Sequence, residues 1–130
     1  MRRWLTFNAV GVIGVAVQLA VIGVLMRWTP VPYLIATAAG VEAAILHNFI
    51  WHERWTWRDR PATATVARLE RLRRFHLVNG VISMIGNLAI MTLLYGLCGL
   101  PVIISSLLAI GACSLLNFAL SDTAVFVAAP

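Results

Sequence analysis

One carboxylate, Glu42, stands near the middle of a long apolar stretch, and Gln18 and Asn87 lie at similar depth in two others. A charged group at the centre of a membrane helix costs about 2.5 to 3.5 kcal/mol on insertion scales, so an acid there must face protein, face water or carry a proton. Two chemistries fit. The amides bond the carboxyl and hold helices together, each bond contributing about 0.6 to 2 kcal/mol, or Gln18, Glu42 and Asn87 line an intramembrane polar path for a ligand or a proton. A second polar cluster lies in the run His47-Asn48-Phe49-Ile50-Trp51-His52-Glu53-Arg54-Trp55-Thr56-Trp57. Asn48 and His52 are four apart and share a helix face, with Arg54 following at its edge. Amide, imidazole and guanidinium beside tryptophan suit a phosphate head group that carries a sugar; interfacial anchoring is the plainer alternative. His47 and His52, five apart, fall on different faces and make a poor metal pair. The sequence contains no Gly-rich phosphate loop, catalytic triad, Cys/His array or paired-carboxylate site. The expectation is therefore a protein that is not an enzyme, with no catalytic residue, bound metal or cofactor.

Positioning these groups takes helices in lipid. The chain has 130 residues, 61% hydrophobic and 12% charged, with a mean hydropathy of +0.88, which is too apolar for one small core in water. Four stretches, Phe7 to Met26, Tyr33 to Trp51, His76 to Tyr95 and Val102 to Leu120, each supply roughly the 20 residues that cross ~30 Å of hydrocarbon as a helix. All ten basic residues are arginines. Arg2 and Arg3 precede the first stretch and seven more, Arg54 to Arg74, fall between the second and third; Arg27 alone lies on the other side. Such bias orients helices on insertion, so both termini and the central loop are expected in the cytoplasm, and the protein is expected as a multi-pass resident of the inner (plasma) membrane. The first stretch is too long for a typical signal-peptide core and reads as a retained anchor. The net charge of +5 sits beside helix ends, which points to anionic lipids and not to nucleic acid. Cys98 and Cys113 are separated by about half a membrane and read as free thiols.

A shift of 69 positions aligns the two halves without a gap. Gly11 meets Gly80, Gln18 meets Asn87, Pro32 meets Pro101, Asn48-Phe49 meets Asn117-Phe118, Glu53 meets Asp122 and Trp57 meets Phe126. Each repeat holds two helices, so the expectation is an all-α membrane protein of two helical hairpins in parallel repeat, related by an axis along the membrane normal. The whole chain, 1–130, reads as a single transmembrane domain: repeat 1 over about 4–57, a cytoplasmic linker over about 58–73 and repeat 2 over about 74–126. From Ala62 to Arg74, Val66, Leu69 and Leu72 recur three apart while Arg68, Arg71 and Arg74 do so on another face. That spacing fits a short amphipathic helix on the cytoplasmic leaflet, or an extension of the third membrane helix with a solvated charged face.

The Arg-aromatic opening with Gly11, Asn48-Phe49 followed by Arg54-Trp55-Thr56-Trp57, and Arg74-Phe75 with Gly80, Asn87, Asn117-Phe118 and Phe126 resemble the GtrA-like family of small four-helix membrane proteins. The resemblance covers nearly the whole chain and implies a role in cell-envelope polysaccharide or glycolipid synthesis. It further implies flipping of a polyprenyl-phosphate-linked sugar beside a membrane glycosyltransferase of the dolichol-phosphate mannose synthase type. Asn48, Arg54 and Asn117 match positions of the family pattern, whereas Thr123 stands where Arg54 stands in the first repeat, so the two halves are not equivalent phosphate sites. The expected lipid-phosphate and sugar contacts are Asn48, His52, Arg54, Arg74 and Asn117. A four-helix chain encloses little volume, so a homo-oligomer is expected. The rival readings are a non-transporting scaffold for the glycosyltransferase, and a small proton-coupled multidrug exporter built around Glu42.

Overall fold

A computed structural model describes residues 2–62 and 64–127. Among these, helix is the only regular structure, and it covers nearly the whole length. Contacts divide the chain into two units, Met1–Pro61 and Ala62–Pro130. Among the described residues, three helices are long and apolar enough to cross a membrane: Arg2–Trp28, Thr65–Leu97 and Leu107–Val125. The remaining apolar stretch also forms a helix, Tyr33–Trp51, about 28 Å long at 1.5 Å per residue.

In the first unit, α1 (Arg2–Trp28) ends where Thr29 caps it, its hydroxyl donating to Leu25 O at 2.6 Å. Pro30 then forbids continuation. Helix α2 (Tyr33–Trp51) starts directly after Pro32, whose φ of −56° is already suited to helix entry. The two helices run antiparallel. Phe7 meets His52, Gly14 lies against Asn48, and Gly40 lies against Ile22 and the Gln18 carbonyl, so contacts climb one helix as they descend the other. Their seam on α2 is an every-fourth-residue stripe of Ala36, Gly40, Ala44, Asn48 and His52, all buried except the half-buried Asn48. Close approach depends on missing side chains: a Cβ on Gly14 would fall 2.2 Å from Asn48 Oδ1, and one on Gly40 would fall 2.9 Å from Gln18 O.

In the second unit, α3 (Thr65–His76) passes through a widened turn, Leu77–Ile82, into α4 (Ser83–Met91). The central segment is thus the beginning of the third long helix, not a separate helix lying on a leaflet. Its two faces have different surroundings. Arg71 and Phe75 are buried, while Val66 and Leu69 are 79% and 61% exposed, because the Arg71 guanidinium stacks 5.3 Å over the Phe126 ring and turns that face inward. The long helix ends at Gly99, whose φ of +67° lets the Leu100 N–H reach back to Leu94 O at 3.0 Å. Helix α5 (Val102–Leu120) follows Pro101 as α2 follows Pro32, and packs on α4 where the Cys113 sulfur comes within 3.1 Å of the space beside Gly86.

The two units repeat one local design. Both α2 and α5 have 19 residues, and the stripe Ser105, Ala109, Cys113, Asn117 and Ser121 is buried on α5 at the register of the α2 stripe. Each then opens into a turn with a bond across five residues: Trp57 N–H donates to His52 O, and Phe126 N–H donates to Ser121 O, both at 2.8 Å.

Candidate functional site

The polar run after α2 folds back over the end of the α1–α2 pair. Its centre is an aromatic plug. The His52 ring lies on Phe7, centroids 4.6 Å apart and planes 9° from parallel, and Trp57 stands edge-on to His52 at 5.4 Å and to Phe7 at 5.9 Å. His52 is 1% exposed and Trp57 fully enclosed. The third imidazole contact is polar, Nδ1 to the Thr56 hydroxyl at 3.0 Å. Burial, with a smaller contribution from His47, pushes the His52 pKa down to about 3, so the ring is neutral at physiological pH. His52, one residue past the apolar stretch, therefore brings shape and not charge.

Asn48, half-buried, packs toward α1. Its amide fills the space left by Gly14, and Oδ1 lies 3.2 Å from His47 Nδ1. Outside the plug, Trp51 and Trp55 form an exposed aromatic ridge, centroids 5.9 Å apart. Arg54 is exposed beside it.

A basic rim forms where the chain turns after Trp57. The Arg60 N–H donates to Trp57 O at 2.9 Å, and this tight return carries Asp59 onto the start of α1, where its Oδ2 pairs with Arg3. Arg60 Nε lies 4.0 Å from the same oxygen. One carboxylate thus gathers two guanidiniums from segments 57 residues apart, with Arg2, Arg54 and Arg58 exposed around the same end of the unit. Charge arithmetic leaves this rim positive, and forked guanidiniums held a few ångströms apart suit a phosphate. Sequence reading missed Arg3, Asp59 and Arg60 as a set. Only the Arg-Asp-Arg run ahead of Pro61 hinted at it.

The second unit places its predicted residues differently. Asn117 is buried at 7% exposure. Ser121, fully buried, stands where His52 stands in the first unit, and the plug there is Arg71 over Phe126 with Phe75 edge-on to Phe126 at 5.9 Å. Arg74 is exposed on α3 and shares Glu70 with Arg73, at 3.2 and 3.0 Å. Thr123, at the register of Arg54, turns its hydroxyl back to Ala119 O at 2.7 Å, so no cation stands there.

Gln18 and Glu42 lie in the first unit and Asn87 in the second. Gln18 is half-buried along α1, and Glu42 is exposed on α2, two residues and so about 200° round from the α1-facing Gly40. Asn87 is exposed on α4. Among the described residues, no three His, Cys, Asp or Glu side chains are grouped to hold a metal ion.

Comparison with known families matches residues 6–126 to the model described as GtrA/DPMS, transmembrane domain. No curated protein matches the chain.

Proposed function

The chain belongs to the GtrA/DPMS transmembrane-domain family, a membrane setting tied to glycolipid and polysaccharide synthesis, and from that premise we propose that it flips a polyprenyl-phosphate-linked sugar across the inner membrane for cell-envelope synthesis. Four helical crossings leave both termini and the arginine-rich centre in the cytoplasm, and the two hairpins are parallel repeats. The lipid phosphate docks on the rim of the first unit, against Arg54 and the Arg3 and Arg60 pair. Asn48 and His52 keep the rim in shape from below, through Gly14 and Phe7. In the second unit Asn117 and Arg74 play supporting parts, as packing and as surface charge, because no basic residue occupies the Thr123 position. The prenyl tail stays in lipid while the phosphate is held at the rim. The chain acts as a carrier and not as an enzyme.

One observation carries this reading: a single carboxylate, Asp59, holds Arg3 and Arg60 together at the end of the α1–α2 pair. Native mass spectrometry of the purified protein tests it. A co-purified polyprenyl-phosphate sugar, lost in the Arg3→Gln/Arg60→Gln variant, is the expected result, and an equal load in both proteins contradicts it.

A second reading has its own observation. Val66 and Leu69 lie outward on α3 among exposed arginines, which suits docking of a glycosyltransferase of the dolichol-phosphate mannose synthase type. Co-purification with such a synthase, lost in Leu69→Glu while lipid-linked sugar still crosses, favours a scaffold.

A further inference from the structure

Asp59 occupies the place that the rim offers to an anion. Its carboxylate pairs with Arg3, and Arg60 Nε lies 4.0 Å from the same Oδ2 oxygen. The aromatic plug positions both sides of the Arg3 pair. Arg3 stands four residues before Phe7 on α1, about one turn, and Asp59 stands two residues after Trp57, whose ring meets Phe7 at 5.9 Å. The turn closed by the Arg60 N–H on Trp57 O then sets the carboxylate and the second guanidinium on consecutive residues. All of these groups belong to the first unit.

A carboxylate and a phosphodiester present the same face to a guanidinium, one negative charge spread over two oxygens. One can therefore replace the other without changing the net charge of the rim. The Arg3 and Asp59 side chains are 39% and 50% exposed, and an ion pair so open to water is held weakly. We propose that Asp59 is a built-in competitor for the lipid phosphate: its carboxylate holds the guanidiniums while no lipid is bound, is displaced by the phosphodiester of a prenyl-phosphate-linked sugar, and returns as the lipid leaves. This rests on the rim as the phosphate site and adds how that site lets go. Return of the carboxylate shortens the life of the bound state at the expense of affinity, which suits a carrier.

The test uses the full chain in phosphatidylcholine nanodiscs. Farnesyl methyl phosphate, a prenyl phosphodiester of single charge, is the probe, and farnesol is the uncharged control. Asp59 and Asp122 are the only aspartates, so isotope-labelled aspartate carboxyls give two NMR signals, which Asp59→Asn assigns. On the unaltered protein the probe is expected to move the Asp59 signal to the position it has in Arg3→Gln/Arg60→Gln, while farnesol and inorganic phosphate at the same concentration leave it in place. Asp59→Asn is expected to bind the probe about two- to fivefold tighter, the range set by one exposed ion pair, and to release it more slowly. Two results overturn the competitor and leave the rim as the phosphate site: an Asp59 signal that stays put in the probe-bound protein, or affinity not raised in Asp59→Asn while Arg3→Gln/Arg60→Gln abolishes binding. Binding that survives Arg3→Gln/Arg60→Gln overturns both. A signal moved equally by inorganic phosphate overturns a lipid as the displacing group.

Discussion

The imidazole of His52 lies flat on the ring of Phe7, 4.6 Å between centroids, and Trp57 closes the stack from the side. The stack ties the start of α1 to the turn after α2, and so fixes where the rim arginines stand. Phe7→Ala is expected to destabilise the protein by about 3 kcal/mol, as for other buried aromatic truncations. His52→Phe keeps the stack and gives up the bond to Thr56, at a cost of about 1 kcal/mol. Unfolding midpoints in detergent measure both. A His52→Phe protein that is fully folded yet binds no lipid-linked sugar would show that His52 is a ligand contact.

Protonation of the same ring gives a pH dependence with a definite sign. His52 is held near 3 in the folded protein, against about 6.5 when unfolded. The unfolded chain therefore binds the extra proton, and stability is complete above pH 6.5 and declines as pH falls toward 3, by up to about 1.4 kcal/mol per pH unit. His52→Phe is expected to flatten that slope between pH 6 and 4. An imidazole resonance from His52 that titrates near 6.5 in the folded protein contradicts the assignment.

Gly14 and Gly11 separate space from helix propensity. A methyl at Gly14 meets the Asn48 amide, whereas one at Gly11 meets nothing within 4 Å. Gly14→Ala is expected to lower the thermal midpoint, with a destabilisation of about 1 to 3 kcal/mol. Gly11→Ala is expected to be neutral or to stabilise by up to about 1 kcal/mol. Combining Gly14→Ala with Asn48→Ala removes the collision, so the pair should be less harmful than the sum of its parts.

The helices and their 69-residue repeat are legible in the sequence because prolines, small residues and apolar periodicity act locally. The direction in which each polar group points is not. Asn48 and His52 read as ligand contacts from their types and their four-residue spacing, but what each packs against is decided by Gly14 and Phe7, more than thirty residues away. On α3 the spacing separates an arginine face from an apolar one without saying which turns inward. The Phe126 ring decides it, by stacking on Arg71, and the exposed Val66 and Leu69 are tolerable only where lipid or a partner replaces water. The meeting of Arg3 with Asp59 spans 56 positions and depends on the loop after Trp57, which no local pattern encodes.

The rim should respond to charge and not to acid chemistry. Arg3→Gln and Arg60→Gln are each expected to weaken binding of a polyprenyl-phosphate sugar by roughly tenfold, about 1.4 kcal/mol. Asp59→Asn leaves both guanidiniums positive, so binding is retained and its salt dependence steepens. Titrations in nanodiscs at two salt concentrations measure this. Binding that survives Arg3→Gln but disappears in Arg74→Gln moves the phosphate site to the second unit.

The most direct measurement reconstitutes the protein in liposomes loaded with a labelled polyprenyl-phosphate sugar and follows exposure of the sugar on the far leaflet. Exposure is expected to be faster than in empty liposomes and to fall to the empty rate with Arg3→Gln/Arg60→Gln. Equal rates with and without the protein contradict translocation by this chain.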